Sequence, residues 1–241
     1  MKSSLKNMVL VLFVITFVSA LLVGAVDMVT KDTIRETELK AKNEAKFAVL
    51  NTTADKAMVL ADSVYTAGDF EIVVSRVVDK ADNTEVVGYA VEAPSITKTG
   101  YGGYITLMVG FVEENGVAKV NGVQVLKQNE TPGLGANMTK DGNSLEKSIL
   151  GANPAELRFA VSKEGGDFDA LTGSTISSRA YANAMETAYA GYLWATGRLD
   201  ISDEAIEDAP SGASNPVGVA EIHDENYNME PEAQEGEVVN E

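Results

Sequence analysis

The chain has 241 residues, of which 45% are hydrophobic, enough for one folded domain with a buried core and short appendages. A net charge of −17 argues against nucleic-acid binding, which needs a basic surface. The absence of cysteine excludes disulfides, thiolate metal sites, iron–sulfur ligation and a cysteine nucleophile. The single histidine, His223, lies in the acidic C-terminal stretch, which argues against a Ser-His-Asp hydrolase and a histidine-rich metal site.

An uncharged apolar stretch at 8–26 follows a short N-terminus, 1–7, that carries Lys2 and Lys6. As a helix it would span about 28 Å, close to the thickness of a bilayer core. This predicts a single transmembrane anchor with a cytoplasmic N-terminus. A cleaved signal peptide is the alternative, because "VGA" before Val26 resembles a cleavage site, but the apolar run is longer than the usual core of about 7–15 residues. Both interpretations place the main domain outside the cytoplasm.

The next region, 27–66, is predicted to be a linker, with a solvated helix that leaves the membrane and reaches about residue 61. Acid–base pairs such as Glu36–Lys40 and Glu38–Lys42 stand at the i, i+4 spacing that supports a helix.

Four stretches between 69 and 127 are rich in Val, Ile, Tyr and Thr and are separated by turn-forming residues, which predicts an antiparallel sheet. They read FEIVVSRVVD, EVVGYAVEAP, GYITLMVGFVE and VAKVNGVQVLK. Beyond them the pattern predicts a short helix at 144–151, a further strand at 156–162 and a long helix at 177–198 that ends near Gly197. The prediction is therefore an α+β domain at 67–200, with an antiparallel sheet and packed helices.

The C-terminal segment, 201–241, is acidic and poor in aromatic residues. Residues 202–241 hold 12 Asp and Glu and no Lys or Arg, so the remainder of the chain carries only −5. This composition predicts a disordered, solvating tail, with binding of a basic partner as the less favoured alternative.

Three stretches are candidates for chemistry. The first is DALTGSTISS, at 169–178, where hydroxyl residues lead into the predicted long helix. Hydroxyls at a helix start cap unpaired N–H groups, and the same geometry binds phosphate, so both interpretations stay open. The second is a glycine-rich turn, KTGYGGYITLMVGF at 98–111, and the third is an irregular loop, ETPGLG at 130–135. Each is either a turn or a place where backbone approaches a ligand.

Taken together and in this order, behind one N-terminal membrane helix, the three stretches resemble the FMN-binding domain family of the G subunit of Rnf-type electron-transport complexes. The C subunit of the sodium-translocating NADH:quinone reductase is a relative of that family. Its attachment signature runs Asp-x-x-Thr/Ser-Gly-Ala-Thr-x-Thr/Ser, and residues 169–177 read DALTGSTIS. Ser174 stands where alanine is usual, which adds a second candidate acceptor hydroxyl.

The resemblance implies FMN bound covalently, through a phosphoester to Thr175, by a separate flavin transferase. It implies cofactor contacts from the signature residues and from the other two stretches: Asp169, Thr172, Gly173, Ser174, Ser177, Glu130, Thr131, Gly133, Leu134, Gly135, Tyr101 and Gly102. It implies no metal and no side-chain acid–base pair, since the flavin carries the redox chemistry.

The function so implied is electron transfer within a cell-membrane complex that couples ferredoxin and NAD⁺ to Na⁺ or H⁺ transport, with the other membrane subunits as partners. Two alternatives stay open. One is the equivalent subunit of the sodium-translocating NADH:quinone reductase, and the other is a membrane-tethered, flavin-bearing assembly domain without turnover.

Overall fold

The computed structural model describes residues 5–199, so the prediction of a disordered tail at 201–241 lies outside the described residues. The first helix, α1 (Leu5–Ala48), is long and apolar enough to cross a membrane, and none of its apolar window is buried inside the protein. The helix continues unbroken through the charged segment that follows.

The helix predicted to reach residue 61 ends at Ala48, and part of the range assigned to the linker forms a strand. Asn51 adopts a left-handed φ of 52°, a conformation that stops helices. The first strand, β1 (Ala57–Ala67), begins after the turns at 49–56. Most of its side chains are exposed because it is an edge strand, so it lacks the buried alternation by which a strand is recognised.

The four predicted strands are confirmed as β2 (Phe70–Asp79), β3 (Val86–Pro94), β4 (Thr106–Glu114) and β5 (Val117–Lys127). With β1 they form a five-stranded antiparallel sheet in which spatial order follows chain order. Short turns join β1 to β2, β2 to β3 and β4 to β5, whereas β3 and β4 are joined by the longer segment 95–105, which contains the start of the glycine-rich turn.

Both faces of the sheet are covered. Residues that alternate along the strands face the long C-terminal helix on one side, and their neighbours in sequence face the end of α1 on the other. In β4, for example, Leu107 and Val109 belong to the larger core cluster, and Met108 belongs to the smaller one. The end of α1 approaches closely because Gly122 has no side chain: a Cβ there would lie 2.7 Å from the Val49 carbonyl oxygen.

After β5 come α2 (Ser144–Lys147), several single 3-10 turns and α3 (Thr175–Ala195). The predicted strand at 156–162 is wrong, because the edge of β5 is already bonded to the segment before it. Val120 donates to the Ala152 carbonyl at 3.0 Å and accepts from the Gly151 N–H at 2.7 Å. The two predicted helices are confirmed, α2 shorter and α3 beginning two residues earlier, and the architecture is the α+β arrangement predicted from sequence.

Candidate functional site

The N-terminus of α3 is an open helix end. Ser174 is the N-cap residue, with φ −133° and ψ 45°, and its side chain makes no capping bond. The first helical N–H bond is that of Ser178 to the Ser174 carbonyl, at 2.9 Å. The three N–H groups before it, on residues 175–177, lack acceptors within the helix and stand at the positive end of its dipole. Such an end suits an anion, and phosphate above all.

The turn that leads into this end folds back on the helix. Ser174 donates its N–H to the Leu171 carbonyl at 3.0 Å, and Gly173 takes a φ of 73° that favours glycine. The Ser178 hydroxyl accepts from the Leu171 N–H at 3.0 Å and donates to the Ser174 carbonyl at 2.8 Å. The turn is therefore fixed by the helix that it precedes.

The five hydroxyl residues of this segment have different environments. The Ser177 and Ser178 hydroxyls are buried and hydrogen-bonded. The Ser174 hydroxyl is buried and is the one fully buried side-chain polar atom without a partner in residues 5–199. Thr172 is exposed in the turn, and Thr175 is half-buried as the first residue of the helix. Neither threonine hydroxyl bonds to another described residue, so these two are open to a reagent.

Glu130 connects all three candidate stretches. This residue lies in the 130–135 loop and is 7% exposed. One carboxylate oxygen, Oε1, accepts the N–H of Gly102 at 2.8 Å, and the other, Oε2, accepts the hydroxyl of Ser177 at 2.6 Å. The glycine-rich turn, the irregular loop and the start of α3 therefore meet at one buried carboxylate.

Glycines permit this meeting. A Cβ on Gly100 would clash with Glu130 Oε1, and a Cβ on Gly102 would clash with the Asn129 backbone. A Cβ on Gly135 would lie 2.6 Å from Glu130 Oε2. Both glycine stretches thus owe their composition to close approach as well as to turn formation.

Asn183, which the sequence analysis did not single out, holds the start of the glycine-rich turn against α3. Its side-chain oxygen accepts three consecutive backbone N–H groups, from residues 96–98, at 2.8, 2.9 and 3.2 Å. Its amide nitrogen donates to Glu186 at 3.0 Å. Burial raises the pKa of the Glu186 carboxyl, against the opposing effects of the Asn183 bond and of Lys98. The available signal in the sequence was a lone asparagine on the alanine-rich, core-facing side of a helix.

The other residues that the sequence predicted to contact the cofactor are largely exposed. Leu134 is adjacent to the turn before α3, since a Cβ on Gly173 would lie 3.5 Å from Leu134 Cδ2. Tyr101 is 76% exposed at the tip of the glycine-rich turn, and Thr131 and Gly133 are exposed in their loop. Asp169 is exposed and accepts the Ser162 hydroxyl at 2.8 Å, so it bonds away from the helix start.

A family model described as an FMN-binding domain matches residues 100–190. That range contains all but the first two residues of the glycine-rich turn, the 130–135 loop and the N-terminus of α3, which are the segments that meet at Glu130. The chain therefore carries an FMN-binding domain behind a helix long enough to cross a membrane.

Relatives that align with most of the chain narrow the identification to one family. The G subunit of the ion-translocating oxidoreductase complex of Escherichia coli (strain K12) is 34% identical over 174 residues, covering 69% of this chain and 81% of the relative. Its counterpart from Methanosarcina acetivorans is 29% identical over 184 residues, covering 76% and 92%. The G subunit of the Na⁺-translocating ferredoxin:NAD⁺ oxidoreductase complex of Acetobacterium woodii is 30% identical over 195 residues, covering 76% and 89%. The chain belongs to this family of G subunits, which confirms the resemblance drawn from its three motifs.

Proposed function

We propose that this chain is an electron carrier whose FMN is esterified, through its phosphate, to the hydroxyl of Thr175. The observation that carries the proposal is the state of the five hydroxyls before and within the first turn of α3. Two are hydrogen-bonded and one is buried, which leaves Thr172 and Thr175 open among the described residues. Of these two, Thr175 is on the helix, beside the N–H groups and the positive dipole that stabilise a phosphate.

Attachment replaces the hydroxyl proton of Thr175 with the phosphorus of FMN. A Thr175 Oγ1–P bond forms, the P–O bond to the leaving group of an activated flavin nucleotide breaks, and the proton departs with that leaving group. A separate flavin transferase catalyses this transfer from the activated flavin nucleotide. The net addition is FMN less one water, about 438 Da.

The residues present fit such a group. The open helix end accommodates the phosphate, and Ser174 and Ser177 flank the attachment point on either side along the chain. Leu134 offers exposed apolar surface beside Gly173, and Tyr101 is exposed in the turn that Glu130 bonds to the start of α3. The proposed site also includes the remaining signature and loop residues, Asp169, Thr172, Gly173, Glu130, Thr131, Gly133, Gly135 and Gly102. When bound, FMN supplies reversible electron uptake, and the chain supplies binding, orientation and electrostatics.

At the level of the complex, we propose that the chain works with other membrane subunits to couple electron flow between ferredoxin and NAD⁺ to Na⁺ or H⁺ transport. The name of the Acetobacterium woodii relative supports this assignment. The apolar helix supports a single-pass membrane protein. Lys2 and Lys6 before it favour an orientation in the cell membrane with residues 1–7 in the cytoplasm and the FMN-binding domain outside it.

Intact mass of the chain, co-expressed with its flavin transferase, tests the attachment. We expect an addition of about 438 Da, carried by a peptide that contains Thr175, and flavin absorbance that survives denaturation. Thr175→Ala is expected to lose both. Ser174→Ala, the matched control in the same turn, places the usual alanine of the signature at that position and is expected to keep them. An adduct that persists in Thr175→Ala, or that disappears only in a control, would refute this assignment.

Electron flow through the assembled complex tests the carrier role. We expect Thr175→Ala to abolish it while the complex still assembles. Normal flux in that variant would instead support an assembly domain without turnover.

A further inference from the structure

The carboxylate of Glu130 is held by uncharged groups alone. It accepts one hydrogen bond at each oxygen, from the Gly102 N–H and the Ser177 hydroxyl, and its residue is 7% exposed. No Lys or Arg in the described part of the chain forms an ion pair with it. Burying an ionised carboxylate without a countercharge is costly. A glutamine at this position could make two equivalent hydrogen bonds without that cost. The hydrogen bonds alone therefore do not explain why a charged side chain stands here.

The surrounding backbone is built to admit this side chain. Two glycines, at 100 and 135, stand where any Cβ would press on the carboxylate oxygens. The donor on the α3 side is Ser177, in the first turn of the helix and two residues after Thr175. The charge therefore lies beside the proposed attachment point and is fixed in place from two sides.

We propose that Glu130 is a positioning residue of the cofactor site, and that its charge lowers the reduction potential of the flavin. Its two bonds hold the glycine-rich turn against the first turn of α3. A fixed negative charge in a poorly solvated environment opposes the addition of an electron nearby, because the Coulomb interaction is strong where water is excluded. The second half of this proposal rests on the proposed function, since it requires FMN at Thr175.

The positioning role is tested on the full-length protein produced without the flavin transferase. Hydrogen exchange is followed in a peptide that spans residues 99–104 and contains the Gly102 N–H. We expect exchange to be about tenfold faster in Glu130→Ala, because the acceptor is removed. We expect Glu130→Gln to stay near wild type, because the glutamine oxygen still accepts from Gly102 and its nitrogen donates to Ser177. Unchanged exchange in Glu130→Ala would overturn the positioning role.

The electrostatic role is tested on the flavinylated full-length protein by spectroelectrochemical titration. Glu130→Gln is expected to shift the midpoint potential of the flavin to a more positive value. Ser177→Ala, which removes one donor and keeps the charge, is expected to shift it less. Glu164→Gln is the matched control, because Glu164 also contacts the first half of α3, through Arg179, at an exposed position. Equal potentials in Glu130→Gln and wild type would overturn the electrostatic role.

The two proposals fail in different ways. If wild-type protein carries no flavin adduct, the phosphoester assignment and the electrostatic role fall together, while the exchange experiment still decides the positioning role. If the adduct is present and Glu130→Gln titrates like wild type, the phosphoester assignment stands and only the electrostatic role is wrong. Should Glu130→Ala fail to fold, a rapid exchange of the 99–104 peptide in Ser177→Ala supports the positioning role, and wild-type exchange there contradicts it.

Discussion

Replacing Asn183 with alanine removes the single acceptor that anchors the start of the glycine-rich turn. Three backbone N–H groups, on Ile96, Thr97 and Lys98, converge on its side-chain oxygen. Thr97 and Lys98 are exposed, so water can take over their bonds, whereas Ile96 is half-buried and has the shortest bond, at 2.8 Å. A buried donor left without a partner costs about 1–3 kcal/mol, and a bond exchanged for one to water costs about 0.5–1.5 kcal/mol.

Together these terms span about 2–6 kcal/mol, and because Ile96 is only half-buried we expect the lower end, about 2–3 kcal/mol, as the loss in the free energy of unfolding for Asn183→Ala. For a domain of this size, that corresponds to a fall in Tm of roughly 4–12 °C. The assay is thermal unfolding of the full-length protein in detergent, followed by fluorescence of Trp194, the only tryptophan. Its ring lies on α3 at 5.6 Å from the ring of Tyr65 on β1, so its emission reports the packing of helix on sheet.

The matched control is Asn137→Ala, the same substitution at a residue that makes one exposed side-chain bond, to the Gly133 carbonyl at 2.8 Å. Its expected cost is below about 1 kcal/mol. A fall in Tm for Asn183→Ala no larger than that for Asn137→Ala would refute the reasoning that this side chain carries the turn.

Two further predictions concern the opposite face of the sheet and the partner of Asn183. Gly110→Ala is expected to destabilise the protein by about 3 kcal/mol in denaturant unfolding, the upper end of the usual cost of overpacking, because the new Cβ would lie 2.2 Å from the Val49 carbonyl oxygen. Gly116→Ala, with no atom within 4 Å but a φ of 80°, is expected to cost about 1 kcal/mol. Equal effects of the two changes would contradict the close approach of α1. Glu186→Gln is expected to match wild type at acid pH and to become the more stable protein as pH rises. Burial raises the pKa of Glu186 in the folded state, so the wild type loses stability as the pH rises from the ordinary carboxyl pKa to the folded-state pKa. The variant has no such loss, because glutamine does not titrate. A stability difference between the two proteins that does not change with pH would rule this out.

Sequence patterns predicted most of the fold because the relevant signals are local. Strands β2 to β5 are recognisable in the sequence as β-branched runs between turn residues. Helix α3 is recognisable by its helical spacing and its hydroxyl-rich start. The missed strand β1 and the wrongly predicted strand at 156–162 also have physical reasons. Strand β1 is an edge strand with few buried side chains. The segment 156–162 is strand-like in composition but does not join the sheet, because residues 151–152 just before it already bond to the edge of β5 at Val120.

The amino-acid sequence by itself determined that the protein has one apolar helix, an α+β domain and three motifs of one family, since each depends on residues close together in the chain. Tertiary structure alone decided which hydroxyls are open and which are bonded, because Ser177 is engaged by Glu130, 47 residues away. It also decided that Asn183 anchors a turn 85–87 residues before it. Contacts over such separations depend on how sheet and helix pack, and no local pattern records that packing.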